Sequence, residues 1–322
     1  MASPRRCRRI LRLLGRVVSV ATVWFAMRRL PSDGAQFDAA SLVELPHRAA
    51  HDWRTIGGKG WQVVGGEGED VAITDANEGT RGDCPPGMVE VRGNMKLDGA
   101  LGSVETLQKQ ACSSWIDRTF PERCGVFDGE KWRSLSSDLP VRAMHFCVDR
   151  FEYPNIKGNY PIVMITWHEA SALCEERGAR LCTEDEWTFA CEGEEALPFA
   201  TGYVRDDSGC VMDRPWRLVD EEVLGERVGA RVRREIDGLW QGEASGAYPR
   251  CRSPFGVYDA IGNVDEWTRS THELGLRSIL KGGYWAPVRT QCRPSTRVHG
   301  EDFYFYQIGF RCCSDVPADG GE

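Results

Sequence analysis

The chain has 322 residues, 41% of them hydrophobic, with 35 Gly and 16 Pro. That length admits two average domains or one large irregular one, and the composition suits a globular protein rich in loops. The net charge of −8 is mixed along the chain, which argues against a nucleic-acid partner because phosphate binding needs a concentrated basic surface.

The one strongly basic segment opens the chain with Arg5, Arg6, Arg8 and Arg9. An apolar run from Val17 to Met27 follows, then Arg28 and Arg29. The run has the length of a signal-peptide core and falls short of the roughly 20 apolar residues of a full span. Ser19-Val20-Ala21 is the best small-x-small cleavage site. Residues 1–30 are therefore read as a signal peptide or an N-terminal membrane anchor. Residues 31–83 read as a polar spacer. Within it, His47 and His51 stand four apart and would share a helix face, but too few other ligands lie nearby for a metal site.

The ordered body is expected from Cys84, where a turn leads into a strand around Met88-Val89-Glu90-Val91. Cys112 to Cys124 brackets a polar loop. Phe146 to Tyr153 alternates like a second strand, ended by Pro154-Asn155. Two helices then carry start signals. Thr166 with Glu169, and Thr183 with Glu186, are capping boxes, and the helices stop near Gly178 and Gly193. Trp167 and Trp187 read as core anchors. Residues 205–250 are charged and read as a surface insertion, partly helical. From Ser253 to Cys313 the chain is Gly- and aromatic-rich, as irregular strands and turns would be, and residues 316–322 form a tail.

The chain has 13 Cys and 6 His. Setting Cys7 aside in the leader leaves an even dozen, none in a CxxC pair. With an export-like leader this reads as a disulfide framework in a periplasmic or other extracytoplasmic protein. Proximity suggests Cys112 with Cys124 and Cys210 with Cys251.

Several segments together resemble the sulfatase-modifying factor (formylglycine-generating enzyme) family, in that family's order. They are Val148-Asp149-Arg150-Phe151-Glu152, Pro161 to Trp167, Ala179 to Trp187, and Asp259-Ala260-Ile261-Gly262-Asn263-Val264-Asp265-Glu266-Trp267. Lys281-Gly282-Gly283-Tyr284-Trp285, Cys292 to Arg297 and Gly309-Phe310-Arg311-Cys312 complete the set. The resemblance covers 84–315. It implies an irregular α+β fold, a disulfide-rich variant of the C-type-lectin-like fold with little regular secondary structure. It further implies a structural calcium site with Asp259 and Glu266 as side-chain ligands and Gly262 and Val264 as carbonyl ligands, a donor set that suits a hard cation. It also implies two disulfides, Cys174–Cys312 and Cys191–Cys292.

Formylglycine-generating enzymes hold copper(I) on two thiolates, as suits a soft ion. Counting from Gly282-Gly283, the first of those positions falls on Pro287 and the second on Cys292. Counting back from Gly309, Cys292 instead takes the place of a structural half-cystine. The reading adopted is an exported binding or scaffold module without the copper pair, its partner a peptide, an envelope protein or a glycan. The alternative is an O2-dependent oxidoreductase acting on a cysteine or other sulfur substrate, with Cys292 as a catalytic thiol. The related iron-dependent chemistry lacks its histidine pattern here. Asp149 and Glu152 would lie on opposite faces of a strand, which weakens a paired acid–base role. Arg150 and Arg297 are candidates for anchoring an anionic or peptide ligand, or for salt bridges. The run Phe303-Tyr304-Phe305-Tyr306 lines a groove or packs in the core.

Overall fold

The computed structural model describes residues 51–316 apart from 57, 59, 65–82, 101, 120, 273 and 274. The leader, His47, residues 65–82 of the spacer and the tail beyond 316 lie outside the described residues. Among the described residues no helix is long and apolar enough to cross a membrane.

Two four-stranded sheets position the rest. In the first, β3 (Met88–Lys96) and β6 (Val141–Asp149) form a nine-residue antiparallel ladder, and β12 (Cys312–Ser314) lies between β6 and β7 (Arg180–Leu181). The second has the order β10-β9-β8-β11, built from β8 (Asp265–Arg269), β9 (Ser278–Lys281), β10 (Ser295–Thr296) and β11 (Ile308–Phe310). Its β8–β11 pair is parallel, with Ile308 opposite Asp265. The sequence 112–124, read as a polar loop, instead contributes to a hairpin of β4 (Cys112–Asp117) and β5 (Arg123–Phe127). Three register irregularities interrupt this hairpin, which explains its weak alternation in sequence.

Helices α1 (Val104–Ala111) and α2 (Gly129–Ser136) are capped by Ser103 and Asp128. Helices α3 (Trp167–Glu175) and α4 (Glu184–Glu192) both carry reciprocal capping boxes. In each, the threonine hydroxyl accepts from the glutamate N–H, and the carboxylate accepts from the threonine N–H. The boxes satisfy N–H groups that a helix start leaves without partners. Trp167 and Trp187 are buried, and so is most of α4.

The reading of 31–83 as a spacer requires a correction. Residues 52–64 form a hairpin, β1 (Asp52–Ile56) with β2 (Gly60–Val64), and Trp53, Trp61 and Val63 are buried. The insertion is likewise more than a surface feature. It contains α5 (Glu221–Gly225) and α6 (Ala230–Leu239), and buries Val223, Leu224, Val232, Ile236, Leu239 and Trp240 in one cluster with those tryptophans. The reason is mutual. Val232, Ile236 and Leu239 repeat at helical spacing, and Trp61 and Val63 at strand spacing, so each piece has an apolar face that the other helps to cover. Trp53 packs edge-on against Trp240, with ring centroids 5.3 Å apart. Its indole N–H donates to Asp237 at 3.1 Å, and the His51 backbone N–H donates to the same oxygen. His51 therefore sits at the start of a strand and serves Asp237; it does not share a helix face as its spacing suggested.

Candidate functional site

The loop from Asp259 into β8 turns sharply, with positive φ at Asp259, Gly262 and Asn263. Gly262 passes so close to the Val211 carbonyl that a Cβ there would sit 2.3 Å from its oxygen. This turn carries Glu266 inward, where it is fully buried. The guanidinium of Arg311, also buried, donates to both its oxygens at 2.6 and 2.5 Å, and the Trp187 indole N–H donates at 2.7 Å. Glu152 accepts from Ser245 Oγ at 2.7 Å and from the Asn263 amide at 2.8 and 3.0 Å. Asp259 accepts from the Gly246 backbone N–H at 2.6 Å.

Three carboxylates thus share this region with one guanidinium. Desolvation pushes Asp259 up to about 7, helped by the charge of Glu266, while the Gly246 N–H and Arg311 pull the other way. Desolvation, Asp259 and Glu266 push Glu152 well above the ordinary carboxylate range. Buried negative charge in excess of its partners is costly, and a dication bound by hard oxygens would offset it. The expected calcium ligands Asp259, Glu266, Gly262 and Val264 all lie on this turn, with both Glu266 oxygens accepting from Arg311. No three His, Cys, Asp or Glu side chains among the described residues converge to hold a metal, and the expected site uses only two.

The cysteines are resolved as six disulfides. Cys174 is joined to Cys312 and Cys191 to Cys292. Cys112–Cys124 and Cys210–Cys251 are also joined. Cys84–Cys147 and Cys182–Cys313 are pairs that sequence reasoning left unassigned. Every cysteine among the described residues is therefore oxidised, Cys292 included.

Beside the loop lies a cleft of about 470 Å3. Its back is the Lys281-Gly282-Gly283-Tyr284 segment, whose close approach needs glycine: a Cβ on Gly282 would lie 2.8 Å from the Ala260 carbonyl oxygen, at φ +90. Phe303, Phe305, Tyr284 and His299 supply aromatic surface, while Asp265 and Gln307 face the cleft from adjoining positions on β8 and just before β11. His299 stacks on Phe303 at 3.8 Å. Asp265 is half-buried and lines the cleft, and desolvation pushes its carboxyl up to about 7 against the pull of the Gly283 N–H. Lys281 is 1% exposed, and its ammonium turns away to donate to the Arg293 carbonyl at 2.7 Å and Ser295 Oγ at 3.3 Å. Burial brings it down to about 8, opposed by Glu184 and Glu192.

Of the remaining candidates, Asp149, Glu152 and Arg297 have structural partners, whereas Arg150 bonds through its backbone to Gly87 and Tyr258. Asp149 takes both Arg177 nitrogens at 3.1 Å and the Cys312 N–H at 3.0 Å, and Glu152 points into the loop region, so the two carboxylates do not work as a pair. Arg297 is bonded to Glu184. Of the aromatic run, Phe303 and Phe305 line the cleft while Tyr306 is buried. Sequence reasoning missed Asp265 and Gln307; a carboxylate opening an otherwise buried strand was the available signal.

Residues 108–316 match the family described as "Sulfatase-modifying factor enzyme 1-like domain". Among curated proteins, the chain is 28% identical over 189 residues to "Inactive C-alpha-formylglycine-generating enzyme 2" of Bos taurus, covering 52% of this chain and 54% of that protein. It is 27% identical over 231 residues to "Formylglycine-generating enzyme" of Mycobacterium tuberculosis, covering 62% and 72%. The chain thus spans about half the length of the first curated relatives it matches. Among solved structures, "Structure of PvdO from Pseudomonas aeruginosa" aligns with a TM-score of 0.41 at 15% identity, over 73% of this chain and 95% of that one.

Proposed function

The chain belongs to the sulfatase-modifying-factor family, and we propose that it serves as a non-catalytic binding module built on that family's scaffold. The observation that carries this reading is the Cys191–Cys292 bond, together with Pro287 at the other expected catalytic position. A two-thiolate copper(I) site needs two free neighbouring thiolates. Here the one cysteine in the right stretch of chain is bonded to α4. Two of the similar curated proteins carry the word "Inactive" in their names, which is in keeping with such a role.

The module would take an extended peptide or an envelope protein in the aromatic cleft, with the disulfides holding the cleft walls. Its irregular, disulfide-tied α+β architecture accords with a C-type-lectin-like variant. Six disulfides also favour an oxidising compartment, hence export, with residues 1–30 as signal or anchor. A calcium ion held by Asp259, Glu266 and the carbonyls of Gly262 and Val264 would stiffen the loop behind the cleft. It would have no part in chemistry.

Thiol mapping tests the reading. The full chain, expressed into an oxidising compartment, is alkylated before and after reduction, and its peptides are identified by mass spectrometry. The expected result is Cys292 linked to Cys191, with no free pair among residues 84–313. Free Cys292 labelling together with a second cysteine would overturn the module reading, and an oxidase assay with copper would then follow.

A further inference from the structure

Many guanidinium groups of this chain are spent on carboxylates: Arg177 on Asp149, Arg180 on Glu186 and Asp315, Arg277 on Glu301. Two that lie along one row of backbone contacts are not. Arg252 and Tyr258 face each other across an antiparallel bridge. The Asp259 N–H to the Cys251 carbonyl, at 3.0 Å, and the Ser253 N–H to the Val257 carbonyl, at 2.8 Å, close on either side of that pair. The Tyr258 N–H therefore points away from Arg252, and it donates to the Arg150 carbonyl at 2.8 Å. Arg150 and Arg252 thus flank Tyr258, two strand spacings or roughly 10 Å apart along the backbone row. Among the described residues neither guanidinium meets a carboxylate or any other hydrogen-bond acceptor.

Arg252 is exposed yet held in place. Its guanidinium lies 5.7 Å from the centroid of the Tyr258 ring, and Phe151 stacks on the same ring at 5.1 Å. Gly256, at φ +89, makes room for it, since a Cβ there would sit 3.1 Å from an Arg252 nitrogen. A fork fixed before binding loses less freedom when it binds. Beside it opens a hollow of about 400 Å3, whose polar lining is Arg250, Arg252, Thr201, Ser253 and Asp206, and which shares no residue with the aromatic cleft. The charge of Asp206 is already answered, by Arg250 at 3.3 Å and by the N–H groups of Ser208 and Gly209 at 3.0 Å. The Thr201 hydroxyl bonds to nothing among the described residues, and Ser253 Oγ accepts from the Val257 N–H at 3.2 Å with its proton unused.

The hollow and its surroundings therefore offer donors and surplus positive charge. A single small anion in the hollow would meet Arg252 and leave Arg150 unanswered beyond Tyr258. An extended chain bearing several carboxylates reaches both, and each guanidinium fork matches a carboxylate with two parallel bonds. The protein carries a net charge of −8, so this patch is a local exception to its overall field, which favours an acidic partner here over the rest of the surface.

We propose that this surface binds an acidic stretch of a partner polypeptide, with one carboxylate on Arg252 in the hollow and another on Arg150 across Tyr258. It is a second recognition surface, beyond the aromatic cleft and independent of how that cleft is used.

The probes are hexaglutamate and hexaglutamine, each capped at both ends and carrying a neutral dye, titrated into the oxidised full chain by fluorescence anisotropy at low salt. Hexaglutamate should bind at least about tenfold tighter, and the advantage should shrink as salt passes about 0.1 M. Arg252→Gln and Arg150→Gln should each weaken hexaglutamate about fivefold, the worth of one partly exposed ion pair, and leave hexaglutamine unchanged. Arg233→Gln removes the same charge from an exposed position on α6 and should alter neither. Melting curves check folding, and the exposed Arg252 carries the test should Arg150→Gln fold poorly. Equal binding of the two peptides, or no binding of either, would overturn the proposal. Equal weakening by all three substitutions would do so as well, by reducing the effect to net charge. Binding of tripolyphosphate without hexaglutamate would replace it with a phosphate site. The thiol map is independent of all these outcomes.

Discussion

Lys281 gives a prediction whose sign reverses with pH. In the folded chain its amine lies near 8 instead of 10.5, because burial makes the charge costly. A base with a depressed folded pKa loses stability while charged, so the shortfall is fully present below about pH 8 and recovered as pH climbs from 8 towards 10.5. The displacement amounts to about 3 kcal/mol at pH 7, and about 2 kcal/mol of it returns by pH 9.5. Lys281→Met removes the penalty along with the bonds to the Arg293 carbonyl and Ser295 Oγ, whose loss costs about 2 kcal/mol. The variant should therefore be the more stable by about 1 kcal/mol at pH 7 and the less stable by a similar amount at pH 9.5. Urea unfolding without reductant, followed by tryptophan fluorescence at half-unit steps from pH 6.5 to 9.5, measures the crossing. Parallel curves for the two proteins would refute the argument, as they would mean the amine titrates alike in folded and unfolded chains.

Trp53→Ala should cost about 3 kcal/mol in urea unfolding, since it removes a buried ring from Trp240 and a donor from Asp237. A loss below about 1 kcal/mol would show that the hairpin contributes little to the fold. Calcium at a hundredfold excess over its Kd should stabilise the EDTA-treated chain by about 3 kcal/mol, and Asp259→Ala should remove the shift in melting temperature. Identical melts with calcium and with EDTA would show that protons, not a metal, relieve the charge around Glu152 and Asp259.

What was legible in the sequence was local. The capping boxes at Thr166 and Thr183 use residues three apart, and the helices start at Trp167 and Glu184. The hairpin of 52–64 was not legible, because what buries Trp53 and Trp61 lies some 170 residues onward in α5 and α6, under a surface of Asp, Glu and Arg that masked its apolar spacing. The cleft was half legible. The aromatic run Phe303 to Tyr306 stood out, but nothing in sequence said which rings face inward. Asp265 was hidden for a similar reason: a carboxylate with no ion pair among the described residues is recognised only when the ion pairs of its neighbours are known.

The adjacent pair Cys312 and Cys313 has a consequence for how the protein is made. They bind in different directions, to α3 and to the residue just after β7, and the loops they close span 138 and 131 residues. A chain emerging from its N-terminus exposes Cys174, Cys182 and Cys191 as thiols long before Cys292, Cys312 and Cys313 arrive. Oxidation in order of appearance would join those early thiols to one another. The native pattern, non-consecutive and with Cys174–Cys312 crossing Cys182–Cys313, is reached only where wrong pairs are reopened. Production of the natively bonded conformer therefore depends on a host with disulfide isomerase activity as well as an oxidant, and yield, more than stability, is where the dependence will be seen.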